Sequence, residues 1–379
     1  VLLEADWVLP VGSPPIADGA VLVADGAIAA VGSAVELRTQ FPEDTVHTFP
    51  GCVLMPGLVN VHSHLEYSAF RGFARPCGFS EWMARLLITR RKLDEEDWAA
   101  AALWGAYECA RSGVTAIADT AYAGWGVARA ARAAGLRARV YQEVFGLDDG
   151  HIPENMAGLE AALARIKSES GARAAPKRGL GIEARGEACT AGGPGPAVEV
   201  GVSPHAPYTV SAQLYRETAR FARHFGLRLA THVAESQAEV ELLLRGTSAI
   251  SRVYKAAHLW TVGRWIPPGV SPVQYVVQAG ALGPETLVIH AVQVDVSDIA
   301  RLVASGAAVA HCPRSNRRLR CGAAPAAEYV AAGIPVGLGT DSLASNDSLD
   351  MFAEMRSALQ VSEERAALGT VPGVSSQGR

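Results

Sequence analysis

The chain has 379 residues, a formal net charge of -4, 49% hydrophobic and 19% charged residues, which suits a globular enzyme with a sizeable core, within the range of a single α/β barrel. That charge leaves no basic field for nucleic acid and no lysine-rich face for an anionic membrane, so a small-molecule substrate is the expected partner. No apolar run reaches the ~18 residues of a membrane span, and six scattered cysteines without a CxxC pair suit a reducing cytoplasm.

The first fifty residues predict short strands joined by glycine turns, with Asp25-Gly26 inside GAVLVADGAIAAVG as a hairpin signal. A small β domain is expected over 1–52. From residue 53 the pattern changes to apolar runs alternating with helical stretches, which predicts a parallel sheet covered by helices. The runs are 53–62, 114–120, 136–145, 197–205, 227–235, 286–292, 307–313 and 335–341. Eight such units predict a closed (β/α)8 barrel over 53–368, followed by a tail at 369–379, rather than an open doubly wound sheet. DEEDWAAAALWGAYECARSG (94–113) predicts a helix with an acidic first turn and Gly113 as its stop. Two segments break the alternation. Residues 170–196 are rich in Gly, Ala and Pro and are expected to form a mobile insertion; residues 246–284, with Trp260, Trp265 and Pro267-Pro268, predict a lid-like pair of helices after the fifth strand.

In a barrel of this kind the loops after the carboxyl ends of the strands form one concave face, so reactive groups belong there. The first predicted strand runs into His62 and His64, the fourth into His205, the fifth into His232 with Glu235 just beyond, the sixth into His290, the seventh into His311 and the eighth into Asp341. His62 and His64 stand two apart, so on an extended strand both side chains leave from one face and can grip one cation. Alone, such a pair more often marks an ordinary loop; the further ligand-capable residues at strand ends reverse those odds. Imidazole suits zinc or iron, and the Asp341 carboxylate suits the same site. His47, His151, His224 and His258 fall away from strand ends and read as ordinary residues, and Cys312 and Cys321 read as packing residues.

The segments PGLVNVHSH (56–64), THVAES (231–236), VIHAV (288–292), HCPRSN (311–316) and GLGTDSLASN (337–346) together resemble the amidohydrolase superfamily, in that family's order across nearly the whole barrel. Within it they are most similar to the deaminase and chlorohydrolase branch, which acts on adenine-like and triazine rings. The resemblance implies one divalent metal ion per chain, zinc first with iron or manganese as alternatives, bound by His62, His64, His232 and Asp341. Binuclear branches bridge two ions with a carboxylated lysine at the end of the fourth strand; here Lys92, Lys167, Lys177 and Lys255 lie elsewhere and His205 takes that place. Hydroxide formed at the metal would attack a ring carbon bearing an amine. Glu235 is then implied as the proton shuttle, Asp341 as acceptor of the water's proton and His290 as stabiliser of the charged intermediate. Apart from the resemblance, Glu235 also reads as a solvated residue opening a helix, and His290 as a core histidine bonded to backbone.

Substrate contacts are implied for three residues. His205, in VSPHAPYTVS, resembles a position that contacts the purine or its ribose, and Trp82, in FSEWM, resembles an aromatic that packs on the substrate, or else anchors a helix core. Arg314, in HCPRSN, is a permanent cation that either pairs with a substrate carboxylate in fork geometry or bonds loop carbonyls. Arg317, Arg318 and Arg320 read as a solvated or oligomer-facing cluster. The preferred activity is deamination of 6-aminodeoxyfutalosine, an adenine nucleoside with a carboxyphenyl group, in menaquinone synthesis. Alternatives are S-adenosylhomocysteine or methylthioadenosine deamination, then guanine-type deamination or triazine dechlorination. Outside catalysis, an inactive barrel remnant stays open, because only one helix follows Asp341 where the family usually returns to complete the β domain. That domain is expected to lack its second half. A homodimer in the cytoplasm completes the expectations.

Overall fold

The computed structural model describes residues 1–73, 77–171, 197–257 and 267–367. Most of the 170–196 segment, Trp260, Trp265, Cys189, His258 and the 369–379 tail lie outside the described residues. The chain divides into two compact units, Val1–Leu58 and Val59–Arg379.

In the first unit β1 (Leu2–Val8), β2 (Ile16–Ala24), β3 (Ala27–Ser33) and β4 (Val46–Leu54) form one sheet in the order β3-β2-β1-β4. Asp25 and Gly26, at φ of 51° and 76°, make the predicted two-residue turn between β2 and β3; positive φ at both positions gives the turn a twist that matches the flanking strands. Leu2, Ala20, Leu22 and Leu37 make the buried cluster under this sheet, Leu37 coming from the helix Ala34–Gln40.

The second sheet holds eight strands: β5 (Leu58–Ser63), β6 (Val114–Ala121), β7 (Arg137–Val144), β8 (Val198–Pro204), β9 (Arg228–Val233), β10 (Thr286–His290), β11 (Ala308–His311) and β12 (Val336–Leu338), ordered in sequence around the sheet. The ladders from β6 through β12 are parallel. A parallel bridge between Ser63 and Asp341, with the Asp341 amide donating to the His62 carbonyl at 3.1 Å, brings the last strand's exit against the first strand and closes a (β/α)8 barrel. Glycine permits that approach: a Cβ on Gly339 would lie 2.7 Å from His62 Cβ and 2.8 Å from its carbonyl oxygen.

One expected strand is two elements. The run at 53–62 covers the end of β4 and the start of β5, and Met55, Pro56 and Gly57 belong to neither. Proline has no N–H to give to a ladder, and apolar residues on both sides of it hid the break. The predicted helix at 94–113 is Glu95–Arg111, with the Asp94 carboxylate accepting from the Glu96 and Asp97 amides, the arrangement that satisfies the free donors of a first turn. Within 246–284 the helices Ala249–Ala256 and Pro272–Gln278 are present. No described helix is long and apolar enough to cross a membrane.

Candidate active site

The carboxyl ends of β5, β9, β10 and the segment after β12 meet around one cluster of nitrogens and oxygens. One ring nitrogen from each of His62, His64 and His232 lies within 4.8 Å of the others, and ligand atoms of Glu235, His290 and Asp341 form a second group within 4.8 Å of one another. His64 Nε2 and His232 Nε2 stand 3.2 Å apart. Asp341 Oδ1 is 3.7 Å from His62 Nε2 and 3.8 Å from His64 Nε2.

The surroundings orient each of these groups. His232 Nδ1 lies 3.0 Å from the His205 carbonyl, which fixes the proton on Nδ1 and turns the Nε2 lone pair into the cluster. Asp341 Oδ2 accepts from Ser315 Oγ at 2.5 Å and from Ser345 Oγ at 2.8 Å, leaving Oδ1 toward the histidines. Asp119 Oδ2 accepts from Ser63 Oγ at 2.7 Å and from the Leu65 amide at 2.8 Å, pinning the chain on both sides of His64. The buried Glu239 carboxylate accepts from the Ala234 and Glu235 amides at 3.0 and 2.8 Å and so anchors the turn that carries Glu235. Ala234, His290, Ala291 and Asp341 all have positive φ, a backbone strain that persists only where surrounding contacts over-determine it.

The donor set fits a divalent cation. Both nitrogens of His62 are fully buried without a hydrogen-bond partner, a costly condition that a cation would relieve. Burial pushes His62 and His232 well below the ordinary imidazole range, with neighbouring histidines pushing in the same direction, and lowers His64. The neutral imidazole is the form that binds metal. Three imidazoles and one carboxylate suit zinc, iron or manganese.

Beside this cluster the carboxyl of Glu235 is driven well above its usual range, first by burial and then by the charge of Asp341. Its Oε1 lies 3.5 Å from His290 Nε2, and burial lowers His290 to about 4. Glu235, held toward its acid form, His290, held toward its neutral form, and Asp341 thus line one cavity of about 380 Å³.

His205 and Trp82 line that cavity. His205 is held through Nδ1, 2.8 Å from Thr209 Oγ1, and packs against Phe145 in a tilted arrangement with 4.7 Å between ring centroids. Trp82 faces the cavity and also donates from Nε1 to the Ala344 carbonyl at 2.8 Å while packing against the Tyr67 and Phe70 cluster, so the wall and anchor readings describe one residue. Arg314 follows the second of its two readings, bonding a loop carbonyl, and its substrate-contact reading is corrected: it is absent from the lining of the cavity. It pairs with Asp347 and with the buried Glu354, and donates to the Ser348 carbonyl at 3.3 Å. Its place at the start of the helix Pro313–Arg318 aims it at the helix Met351–Ala367, and two carboxylates take up its charge. His311 is buried at the end of β11 and joins none of the ligand groups found among the described residues.

Sequence reasoning missed Arg90, Tyr254 and Tyr208 in the cavity wall and Glu143 behind His205. Burial drives the Glu143 carboxyl well above its usual range. A signal for Arg90 was present: Phe79, Trp82, Met83, Leu86, Leu87 and Arg90 recur at helical intervals of three and four.

The amidohydrolase family profile matches residues 53–375, and that of a bacterial imidazolonepropionase-like composite domain matches residues 19–43. A 5-methylthioadenosine/S-adenosylhomocysteine deaminase of Syntrophobacter fumaroxidans is 32% identical over 344 residues, covering 89% of this chain and 67% of that protein. An aminodeoxyfutalosine deaminase of Deinococcus radiodurans is 32% identical over 348 residues, covering 90% and 76%. Two solved structures share the fold. The Helicobacter pylori aminofutalosine deaminase in complex with methylthio-coformycin has a TM-score of 0.75 at 20% identity, over 95% of this chain and 83% of that one. A zinc-bound adenosine deaminase from Xanthomonas campestris has a TM-score of 0.72 at 22% identity, over 97% and 74%. With the profile match running from the first barrel strand to beyond the last, and relatives of this identity along most of its length, the chain belongs to the amidohydrolase family and is a hydrolytic deaminase.

Proposed function

We propose that this enzyme removes the exocyclic amine of an adenine-type nucleoside as ammonia, using one divalent ion, zinc first, held by His62, His64, His232 and Asp341. The observation that carries this reading is the convergence of Glu235, His290 and Asp341 beside three histidines, one of them without any hydrogen-bond partner, at the base of a largely apolar cavity. When bound, the ion supplies Lewis acidity that makes the attacking water more acidic.

The chain's own groups then move the protons. Asp341 takes one proton from the water as oxygen bonds to the ring carbon. Glu235, protonated because it is buried, gives its proton to the ring nitrogen, since amide ion is too poor a leaving group to depart from an unprotonated ring. The proton held by Asp341 passes to the amine, which leaves as ammonia, and the hydroxyl proton of the intermediate restores Glu235. His290 stabilises the developing charge on oxygen. His205 and Trp82 bound the space for the ring.

6-Aminodeoxyfutalosine is the preferred substrate, supported by the deaminase of that name among the relatives and by an arginine in the cavity wall. The methylthioadenosine and S-adenosylhomocysteine deaminases at equal identity support the second reading. Guanine-type and triazine substrates follow, and a cytoplasmic homodimer is the working state. Ammonia release measured across these nucleosides tests the proposal, with loss of the adenine absorbance as a second readout. Zinc-loaded protein that releases ammonia from none of them returns the chain to the reading of an inactive barrel.

A further inference from the structure

Arg90 is a cation of the cavity to which the proton transfers assign no task. The helix Phe79–Thr89 presents Phe79, Trp82, Met83, Leu86 and Leu87 to the cavity, and Arg90 follows on the same face one step past its end. The wall is thus an apolar stripe that ends in a guanidinium. Tyr67 and Arg90 also line a neighbouring recess of about 230 Å³, with Arg91, Trp98 and Tyr122, so a second basic side chain stands beside the first.

Unlike Arg314, Arg90 forms no ion pair among the described residues; its guanidinium lies 5.8 Å from the centre of the Tyr122 ring. The acids that face it, Glu66 and Glu143, are buried carboxyls. Glu66 is further engaged in accepting from the Tyr122 and Ala123 amides at 2.9 and 2.7 Å. The arginine therefore stands in the cavity wall with no carboxylate paired to it among the described residues, where desolvation strengthens any bond to an anion.

We infer that Arg90 binds a carboxylate at the end of the substrate's apolar arm and so selects among amines that share one reacting ring. The inference rests on the proposed function, which puts that ring at the histidine and aspartate cluster. The apolar stripe matches the arm, the fork geometry of guanidinium matches a carboxylate, and a neutral substrate would leave the cation without an anionic partner.

A charge-assisted hydrogen bond of this kind is worth about ten- to a hundredfold in affinity. The test compares 6-aminodeoxyfutalosine with its primary carboxamide, a neutral analogue of nearly the same size and shape, on the zinc-loaded enzyme. Wild type is expected to prefer the acid by tenfold or more in kcat/KM, Arg90→Ala to bring the ratio near one, and Arg90→Lys to keep part of it. A purely structural role would lower both substrates together and leave the ratio intact. An unchanged ratio in Arg90→Ala, or no preference in wild type, overturns the inference. Should neither compound release ammonia, the ratio is read from Kd by calorimetry. A preference for the acid that disappears in Arg90→Ala then upholds the inference while the deaminase reading falls, and binding of neither overturns both.

Discussion

His64 Nε2 and His232 Nε2 stand 3.2 Å apart, and the backbone bond to His232 Nδ1 leaves its Nε2 lone pair facing the cluster, where the proposed cation would take it up. Glu235 stands next to this group as a buried acid, and Glu235→Gln should lower turnover by about two to four orders of magnitude while metal content stays at the wild-type level. Near-normal turnover in that variant would remove Glu235 from the proton path. A second buried acid gives a pH prediction. Burial raises Glu354 to about 7 from 4.5, against the opposing pull of Arg314. Between those two values the folded chain still holds a proton that the unfolded chain has released, so stability contributed by this group falls as pH rises. The stability of wild type relative to Glu354→Gln should therefore decline between pH 4.5 and about 7, as read from urea midpoints on either side of that window. A gap that widens with pH contradicts the assignment. The same pair explains why the sequence left two readings of Arg314: a cation in HCPRSN is visible, but the carboxylates it meets come from residues 347 and 354, over thirty positions away.

Elements carried their own signals unevenly. Apolar runs and a glycine turn marked the strands, and Asp94 marked a helix start, because these depend on neighbours within a few residues. The break at Met55, Pro56 and Gly57 was hidden, since strands on either side of it are equally apolar. The closing approach of β12 to β5 is another feature of pairing between distant strands, and GLGTD discloses only that glycines are present. Gly339→Ala should destabilise the protein by about 1–3 kcal/mol, because the added methyl meets His62 backbone as well as its side chain. Zinc content should fall with it, as His62 is displaced. Wild-type urea stability together with full zinc occupancy would show that the closure has more room than these distances allow. The helix Phe79–Thr89 belongs at this scale too: its apolar spacing is legible, whereas the cavity it faces is made by the loops after several other strands.

For the whole molecule, the cluster ties four separate stretches of chain to one point. Chelation of the purified protein should abolish activity and lower the melting temperature, and about one equivalent of zinc should restore both; a ligand present at a hundred times its Kd adds about 2.7 kcal/mol to the folded state. A chelated protein that keeps its full activity would take the metal out of the proposal. Alternation of apolar and helical segments was enough to read the eight-stranded barrel and to put His62, His64, His205, His232, Glu235, His290, His311 and Asp341 at strand ends, since each strand delivers its last residues to the same rim; the family resemblance then implied which of them serve as ligands and proton carriers. What the tertiary structure alone decided is which cation faces the cavity: Arg314 turns away to Asp347 and Glu354, and Arg90 turns in. The strand period fixes where a residue leaves the barrel, but which partners stand opposite depends on loops and helices that meet only in the folded chain.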